Sequence, residues 1–500
     1  MAVGQRAQQQ LAVETELASA EARIFQLQRE LFDIRQRLNG TMPILYMLPE
    51  DIIVEIFQYV LPGFPNNPEL TGYGCVGKPV QFTLGAVCRT WRNIVWRFPG
   101  LWKDLRFTFS SDPVRTEVHV DLIQEWIHRT GQLPLHISLS MQTTRNKVLD
   151  RILRLLLREC RRWRCLQVAG RGTHRLRKEM SEGDFFFPML DSLFLGADSH
   201  KVSSTVDLPY QWTFKTELSL RHLTLGKGTW WKNKTIGLEW PTIRDLYFVG
   251  EEGAGLTIMS EMAESLLFAR VVFFPVEDGD EMPYVRLPAL RELVIGDDEY
   301  PELIVATCPI TVLETPALQR LRLYLEPQAT QLSFLSTMLV RSQCSLIDLS
   351  LDNLHTSMDS LIEFLRVVPS LRTFSFDLVG ECVLMDEFVD AMNPPDTETS
   401  AHGRCLPNIS KIIYQGRISF KPQKVIDMLR SRLGTQQDQA PTDTQIETFS
   451  ILCKNPDWAS STKQNILRTF YQDIWALKSI GTTFDIVYDE GDDVEVDGKA

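Results

Sequence analysis

One pattern recurs along most of the chain: an apolar residue, two others, an apolar residue, any residue, then another apolar one. It appears as Leu190, Leu193 and Leu195, then Leu220, Leu223 and Leu225, then Ile243, Leu246 and Phe248. Further copies start at Phe268 (with Val271 and Phe273), Leu290, Leu318, Leu346, Leu371 and Ile409, and Trp163, Leu166 and Val168 form an earlier one. First residues of successive copies lie 22 to 38 apart, mostly 22 to 30. Such a period is too long for a coiled coil. It is the length of one small structural unit that cannot bury its apolar face without a neighbour. The last two apolar positions alternate, which gives a strand with one buried face. Pro188, Pro241, Pro288, Pro316, Pro369 and Pro407 stand two residues before the first apolar position. Proline cannot continue a helix, so it ends the preceding segment and feeds the strand. Stretches between copies, such as SFLSTMLVRSQ and DSLIEFLRVV, have helical periodicity.

This plan resembles leucine-rich repeats, with one short parallel strand and one helix per repeat. The resemblance implies a curved solenoid over residues 104–432 with a long recognition surface. In leucine-rich repeats an asparagine usually stands three residues after the last leucine. Here those positions hold Asp198, Gly228, Glu251, Asp298, Glu326, Leu354 and Val379. Without an asparagine ladder, an irregular solenoid with variable loops is expected.

A different organisation precedes the repeats. Leu17, Ile24, Leu31 and Leu38 recur every seven residues, with Ala20, Leu27 and Ile34 between them. This is the seam of a coiled coil. Asn39-Gly40 and Pro43 stop it, so residues 1–40 form one unit. Self-association through residues 13–38 is one outcome; a single helix packed on the body or partly frayed is the other. In a parallel pair Glu30 to Arg35 is attractive, but Glu16 faces Glu21.

Residues 44–103 read as two short apolar helices joined by a loop. Leu48-Pro49-Glu50-Asp51 opens the first, because proline suits the first turn and the acids complement the helix dipole. Ile52, Ile53, Ile56, Phe57 and Val60 form its apolar face, and Pro62-Gly63 ends it. The second carries Leu84, Val87, Cys88, Trp91, Ile94 and Val95 on one side and breaks at Phe98-Pro99-Gly100, followed by Leu101-Trp102. LPEDIIVEIFQYV followed by VCRTWRNIVWRFPGLW closely resembles the F-box, the adaptor-binding motif of cullin-RING ubiquitin ligases. With the heptad helix in front, the chain is similar to the large F-box families of mushroom-forming fungi. The resemblance implies docking on a Skp1-like adaptor, and through it a cullin complex, by Leu48, Pro49, Ile52, Ile53, Ile56, Val87, Cys88 and Trp91. Trp91 and Trp102 are also expected to serve as core between the helices and the following domain. The chain departs from the family in the long segment from Gly63 to Phe82, where a compact F-box has a short turn.

Composition narrows the function. Nine cysteines, an odd number with no C-x-x-C pair, read as reduced, mostly buried thiols. The net charge of −12 argues against nucleic acid. No run approaches the ~18 apolar residues of a membrane span, and the N-terminus lacks a signal-peptide core. A cytoplasmic or nuclear protein without a membrane partner is expected. Phosphate-loop, dinucleotide, zinc-protease and serine-hydrolase motifs are missing. The chain therefore reads as a non-enzyme with no cofactor and no metal site. The basic run 151–178 has ten Lys and Arg against one Glu. It reads as an amphipathic helix burying Ile152, Leu155, Leu156 and Cys160; the alternative is a binding surface through Arg158, Arg161, Arg162 and Arg164, for an acidic protein partner first and nucleic acid second. Residues 433–480 read as a linker and capping helix (Ile466, Phe470, Ile474, Leu477). Residues 481–500, with seven acids in the last sixteen residues, read as an acidic tail.

The whole reads as an α/β chain: an N-terminal helix, a small all-α F-box, and a leucine-rich-repeat-like solenoid. The function expected is substrate recognition in an SCF-type ubiquitin ligase, with an unknown target protein held by the repeats. The alternative is a protein-binding scaffold with a diverged F-box.

Overall fold

The longer strands of this chain pair in parallel and in sequence order, and most of those whose side chains are described alternate buried and more exposed positions. In the computed structural model the protein is a mixed α/β chain built on parallel strands. The structure describes residues 2–40, 47–61, 79–109, 113–141, 147–170, 173–196, 212–213, 220–226, 236–237, 242–274, 282–296, 308–325, 332–380, 382–393, 405–419, 421–433, 446, 448–453 and 483–488. The chain divides into two compact units, Met1–Leu218 and Ser219–Ala500. Their boundary falls inside the range 104–432 read from the sequence as one domain.

The first unit opens with helix α1 (Ala2–Gly40), followed by α2 (Glu50–Val60), α3 (Val80–Val87), α4 (Arg89–Arg97) and a single 3-10 turn at Pro99–Leu101. Strands β1 (Asp104–Phe109), β2 (Leu135–Met141), β3 (Trp163–Ala169) and β4 (Ser192–Leu195) then pair in parallel, each with the next. Helices α5 (Pro113–Arg129), α6 (Lys147–Leu157) and α7 (Thr173–Glu182) connect them.

The second unit continues the same logic. Strands β5 (His222–Leu225), β6 (Asp245–Glu251), β7 (Phe268–Phe274), β8 (Glu292–Ile295), β9 (Arg320–Tyr324), β10 (Asp348–Leu354), β11 (Thr373–Leu378), β12 (Lys411–Ile418), β13 (Thr448–Cys453) and β14 (Thr483–Tyr488) lie in sequence order. Every neighbouring pair is parallel. Helices α8 (Glu252–Glu261), α9 (Ser333–Ser342), α10 (Met358–Arg366), α11 (Asp386–Met392) and α12 (Pro422–Leu433) fall between strands.

The core is the set of apolar triplets. In the copies beginning at Trp163, Leu190, Leu220, Ile243, Leu290, Leu318, Leu346, Leu371 and Ile409, all three positions are buried. The strand register stacks them: Leu321 lies beside Leu293 and Leu349, and Leu323 beside Ile295 and Leu351. One copy is corrected. Phe268 is only half-buried, and Ala269 and Val271 pair with Leu246 and Phe248. The true triplet is Leu266, Ala269 and Val271, all fully buried. Alanine in the middle position disguised it, and Phe268, Val271 and Phe273 offered a bulkier match two residues later.

Of these fourteen strands, four carry no copy recognised in the sequence. Strands β1 and β2 pair in the same register through Leu105 and Ile137. Strand β13 lies in the range read as a linker, where Ile446 and Phe449 are buried. Strand β14 lies in the range read as an acidic tail and pairs Phe484 with Phe449. Gly481 stands where the first apolar residue of that copy belongs, and the surrounding acids masked the alternation of Phe484, Ile486 and Tyr488. The rest of the proposed tail and the proposed capping helix lie outside the described residues.

The basic run is an amphipathic helix followed by a strand. Ile152, Leu156 and Cys160 are buried as expected; Leu155 is only half-buried, and Leu153 and Leu157 complete the buried face. Its arginines are used largely within the unit. The Arg154 guanidinium donates twice to Glu179, at 2.8 and 2.9 Å. Arg175 pairs with Asp150 at 2.5 Å, and Arg162 donates to Glu159, Thr130 and the carbonyls of Gly131 and Leu133. Among the described cysteines, Cys88, Cys160, Cys165 and Cys405 are buried free thiols, and Cys344 and Cys382 are half-buried. Burial pushes the Cys405 thiol up to about 11.

The two faces of strand β10 predict opposite mutational costs. Leu349→Ala removes a fully buried side chain of β10 and should cost about 2–5 kcal/mol in urea denaturation. Ser350→Ala, next to it on the other face and half-buried, should shift stability by less than about 0.5 kcal/mol.

Candidate interaction surfaces

The sixteen residues Val87–Trp102 hold three tryptophans, and the structure divides their work. Trp102 is buried to 1% exposure. Its indole N–H donates to the Val95 carbonyl at 2.7 Å. The Trp102 carbonyl in turn accepts from the Trp126 indole of α5 at 2.8 Å. Trp96, Trp102, Trp126 and Phe82 pack edge-to-face, with ring centroids 5.3 to 6.2 Å apart. The Arg129 guanidinium lies over Trp96 and Trp102, at 5.0 and 5.3 Å from the ring centroids. Gln81 donates to the Leu101 carbonyl at 2.8 Å. Edge-to-face pairs and buried cation–π contacts each contribute about 0.5–2 kcal/mol beyond area. This cluster fastens α3 and α4 to the first strand and to α5. Gly85 is required by it, because a Cβ there would stand 2.4 Å from the Trp96 ring.

The expected second helix is two helices. Cys88 has an extended backbone, φ −157° and ψ 171°, between α3 and α4. Its sulfur accepts from the Trp91 N–H at 3.4 Å, capping α4. The apolar periodicity runs through the break unchanged, which is why the sequence reads as one helix. Of the segment between the helices, residues 62–78 lie outside the described residues, and Val80 already begins α3.

Helix α2 sits against α4 and the 3-10 turn, with Ile53, Val54 and Phe57 buried. Phe57 meets Trp91 edge-to-face at 4.8 Å. Its neighbouring face is apolar and open. Ile52 is 38% exposed, Ile56 42%, Tyr59 85% and Val60 53%. At 100° per residue these four and Pro49 fall within a stripe about 100° wide. Met47, 77% exposed, stands just before it.

The eight candidate residues therefore separate into three groups. Pro49, Ile52 and Ile56 lie on the open stripe. Leu48, Val87 and Trp91 are half-buried. Ile53 and Cys88 are core, at 5% and 1% exposure, so neither offers its side chain to a partner on this surface. Met47, Tyr59 and Val60 extend the stripe. Tyr59 could have been found from its spacing of seven residues after Ile52.

A second surface is the open face of the sheet in the unit Ser219–Ala500. One row across it reads Asp245, Phe268, Glu292, Arg320, Asp348, Thr373 and Lys411. The next reads Tyr247, Arg270, Val294, Arg322, Ser350, Ser375 and Ile413. Cross-strand ion pairs brace it, with Arg320 to Glu292 at 2.5 Å and Arg322 to Asp352 at 2.8 Å. Arg270 lies over Tyr247 and Arg322 over Tyr324. Burial is the main influence on the Asp348 carboxyl and raises it above the usual carboxylate range. The face mixes charge, hydroxyls and a few apolar groups over several strands, which suits a broad protein contact better than a small ligand.

Among the described residues, no helix is long and apolar enough to cross a membrane. Neither protein-family models nor curated proteins match the chain.

Two substitutions separate docking surface from core. Phe57→Ala should cost about 3–5 kcal/mol, whereas Ile52→Ala should cost under about 1 kcal/mol, both read by thermal and urea denaturation. Gly85→Val should lower stability by about 1–3 kcal/mol through overpacking against Trp96.

Proposed function

We propose that this protein is a substrate-recognition subunit of an SCF-type ubiquitin ligase and performs no chemistry itself. Its helical segment acts as an F-box that recruits a Skp1-like adaptor and, through it, the cullin complex. Its parallel-strand units act as an irregular leucine-rich-repeat-like solenoid that holds a target protein.

The observation that carries this reading is the open apolar stripe of α2. Pro49, Ile52, Ile56, Tyr59 and Val60 stay in solvent while the adjoining face of the same helix is packed. A short helix with two apolar faces, of which only one is packed within the chain, has a face left for another protein. Aliphatic and aromatic anchors of this kind concentrate binding energy at interfaces. The stripe coincides with the leucine-proline opening and isoleucine positions that carry the resemblance to the F-box. The adaptor contact is assigned to Pro49, Ile52 and Ile56, flanked by Leu48 and Trp91, with Ile53 and Cys88 supporting them from inside. The open sheet face, with its alternating charges, is assigned to the target.

The test is capture of the full chain by a purified Skp1-type adaptor. Wild type should bind. Ile52→Asp with Ile56→Asp should lower affinity at least a hundredfold, since charge is placed in a desolvated contact. Replacing Leu48 and Pro49 with alanine should also weaken binding. The circular dichroism spectrum and melting temperature should hold in the Asp variant. Wild-type chain that fails to bind, or undiminished binding by the Asp variant, rejects the reading and favours a scaffold with a diverged F-box.

A further inference from the structure

Helix α1 presents a complete seam to solvent. Leu17, Ile24, Leu27, Leu31, Ile34 and Leu38 are each 47–64% exposed. Polar side chains flank the seam on both sides. Glu16, Arg23, Glu30 and Arg37 line one flank with strictly alternating sign; Glu21, Gln28 and Arg35 line the other. All seven belong to the exposed surface.

We propose that this seam pairs with that of a second copy in antiparallel orientation, centred between Phe25 and Gln26. The register sets Leu17 against the partner's Ile34, Ala20 against the partner's Leu31, and Ile24 against the partner's Leu27. Each contact occurs twice by symmetry, which gives six apolar layers over residues 17–34 with no polar residue among them.

Charge selects the orientation. In a parallel pair each flank residue meets the opposite flank five residues on. Glu16 then meets the partner's Glu21, Arg23 the partner's Gln28, and Glu30 the partner's Arg35. Repulsion at one pair cancels attraction at another. In the antiparallel pair like flanks meet. Glu16 faces the partner's Arg37 and Arg23 faces the partner's Glu30, each twice. On the second flank Glu21 faces the partner's Gln28. Four attractive pairs form and none repels. Sliding the antiparallel pair by one heptad sets Arg23 on the partner's Arg37 and Glu30 on the partner's Glu30. The alternation therefore fixes register as well as direction. Within one copy, Arg23 donates to Gln26 at 3.1 Å and Gln26 to Glu30 at 2.9 Å. These are exposed side chains that re-aim at small cost. Phe25 and Phe32 lie just outside the seam.

The geometry has a consequence for function that does not rest on the adaptor assignment. With Leu38 opposite position 13 of the partner helix, the two helix C-termini stand about 38 Å apart, at 1.5 Å rise per residue. A parallel pair would set them side by side. The antiparallel pair yields a bivalent molecule with two well-separated chains, able to engage a multivalent partner with avidity.

The experiment is sedimentation equilibrium of the full chain over a range of concentrations. Wild type should dimerise. Glu16→Arg should weaken the dimer about tenfold, because two attractive pairs become repulsive. Adding Arg37→Glu should restore it. A parallel pair predicts the reverse, since Glu16→Arg would then face Glu21 and tighten the dimer. Orientation is read independently by oxidative cross-linking. Ala20→Cys with Leu31→Cys should give a covalent dimer, and Ala20→Cys alone should give no more than wild type. These positions are all exposed on α1, so the rest of the fold is undisturbed. A monomer at every concentration, a higher oligomer, a tighter Glu16→Arg dimer, or efficient cross-linking through Ala20→Cys alone would each overturn the proposal.

Discussion

A strand of four to eight residues with one buried face cannot persist alone, and this constraint organises the chain. Its N–H and C=O groups need a neighbour on each edge, and its apolar triplet needs a cover. The solution recurs along the chain: a following strand supplies the edge, and in many of the connections a helix lies between the two strands. Each triplet contributes three buried side chains at about 1.5–3 kcal/mol apiece. That gain offsets the ordering of one strand and one helix only because neighbouring triplets share their contacts. The parallel register, with Leu293, Leu321 and Leu349 side by side, is the visible form of this dependence.

The same constraint makes the opposite sheet face polar. Among the described residues, its charged side chains satisfy one another across strands. Arg320 and Arg322 both choose partners on neighbouring strands. A face braced in this way holds its side chains in fixed order while leaving them accessible. That is the property a recognition surface needs, and it arises here as a by-product of one-sided packing.

Legibility in the sequence followed from how much each feature depended on local periodicity. The triplets were readable because three apolar positions at fixed spacing, repeated many times, seldom arise except from strands with one buried face. Where one position was small, as at Ala269, or missing, as at Gly481, the copy was misplaced or missed. At Ala269 the place of the copy is set by its pairing with Leu246 on the neighbouring strand, which a single stretch of sequence does not display. The break at Cys88 was invisible for a related reason: α3 and α4 keep the same apolar phase, and the turn is made by backbone angles and a sulfur cap. Around α2, the residue types were legible but their direction was not. Ile52 and Ile53 are adjacent and chemically identical, yet one is 38% exposed and the other 5%. Only the position of Phe57 and Trp91 decides which faces inward.

That asymmetry bears on what the N-terminal part is for. Among the described residues, thirteen of the twenty-two large apolar side chains left exposed lie between Leu17 and Val60. The rest are scattered singly, as on any protein surface. Exposed apolar residues gathered on two helices carry a cost in solubility that the body of the chain avoids with great regularity. The two gatherings differ in kind. The stripe on α2 is short and one-sided, on a helix held from its other face by Phe57 against Trp91, so it suits a different protein better than a second copy. The seam on α1 is long, periodic and flanked by self-complementary charge, so the surface it matches best is its own. If α1 pairs with a second copy and α2 with an adaptor, as proposed, the chain is a connector: one helix joins copies, the next joins the adaptor, and the strands present a broad face to a target.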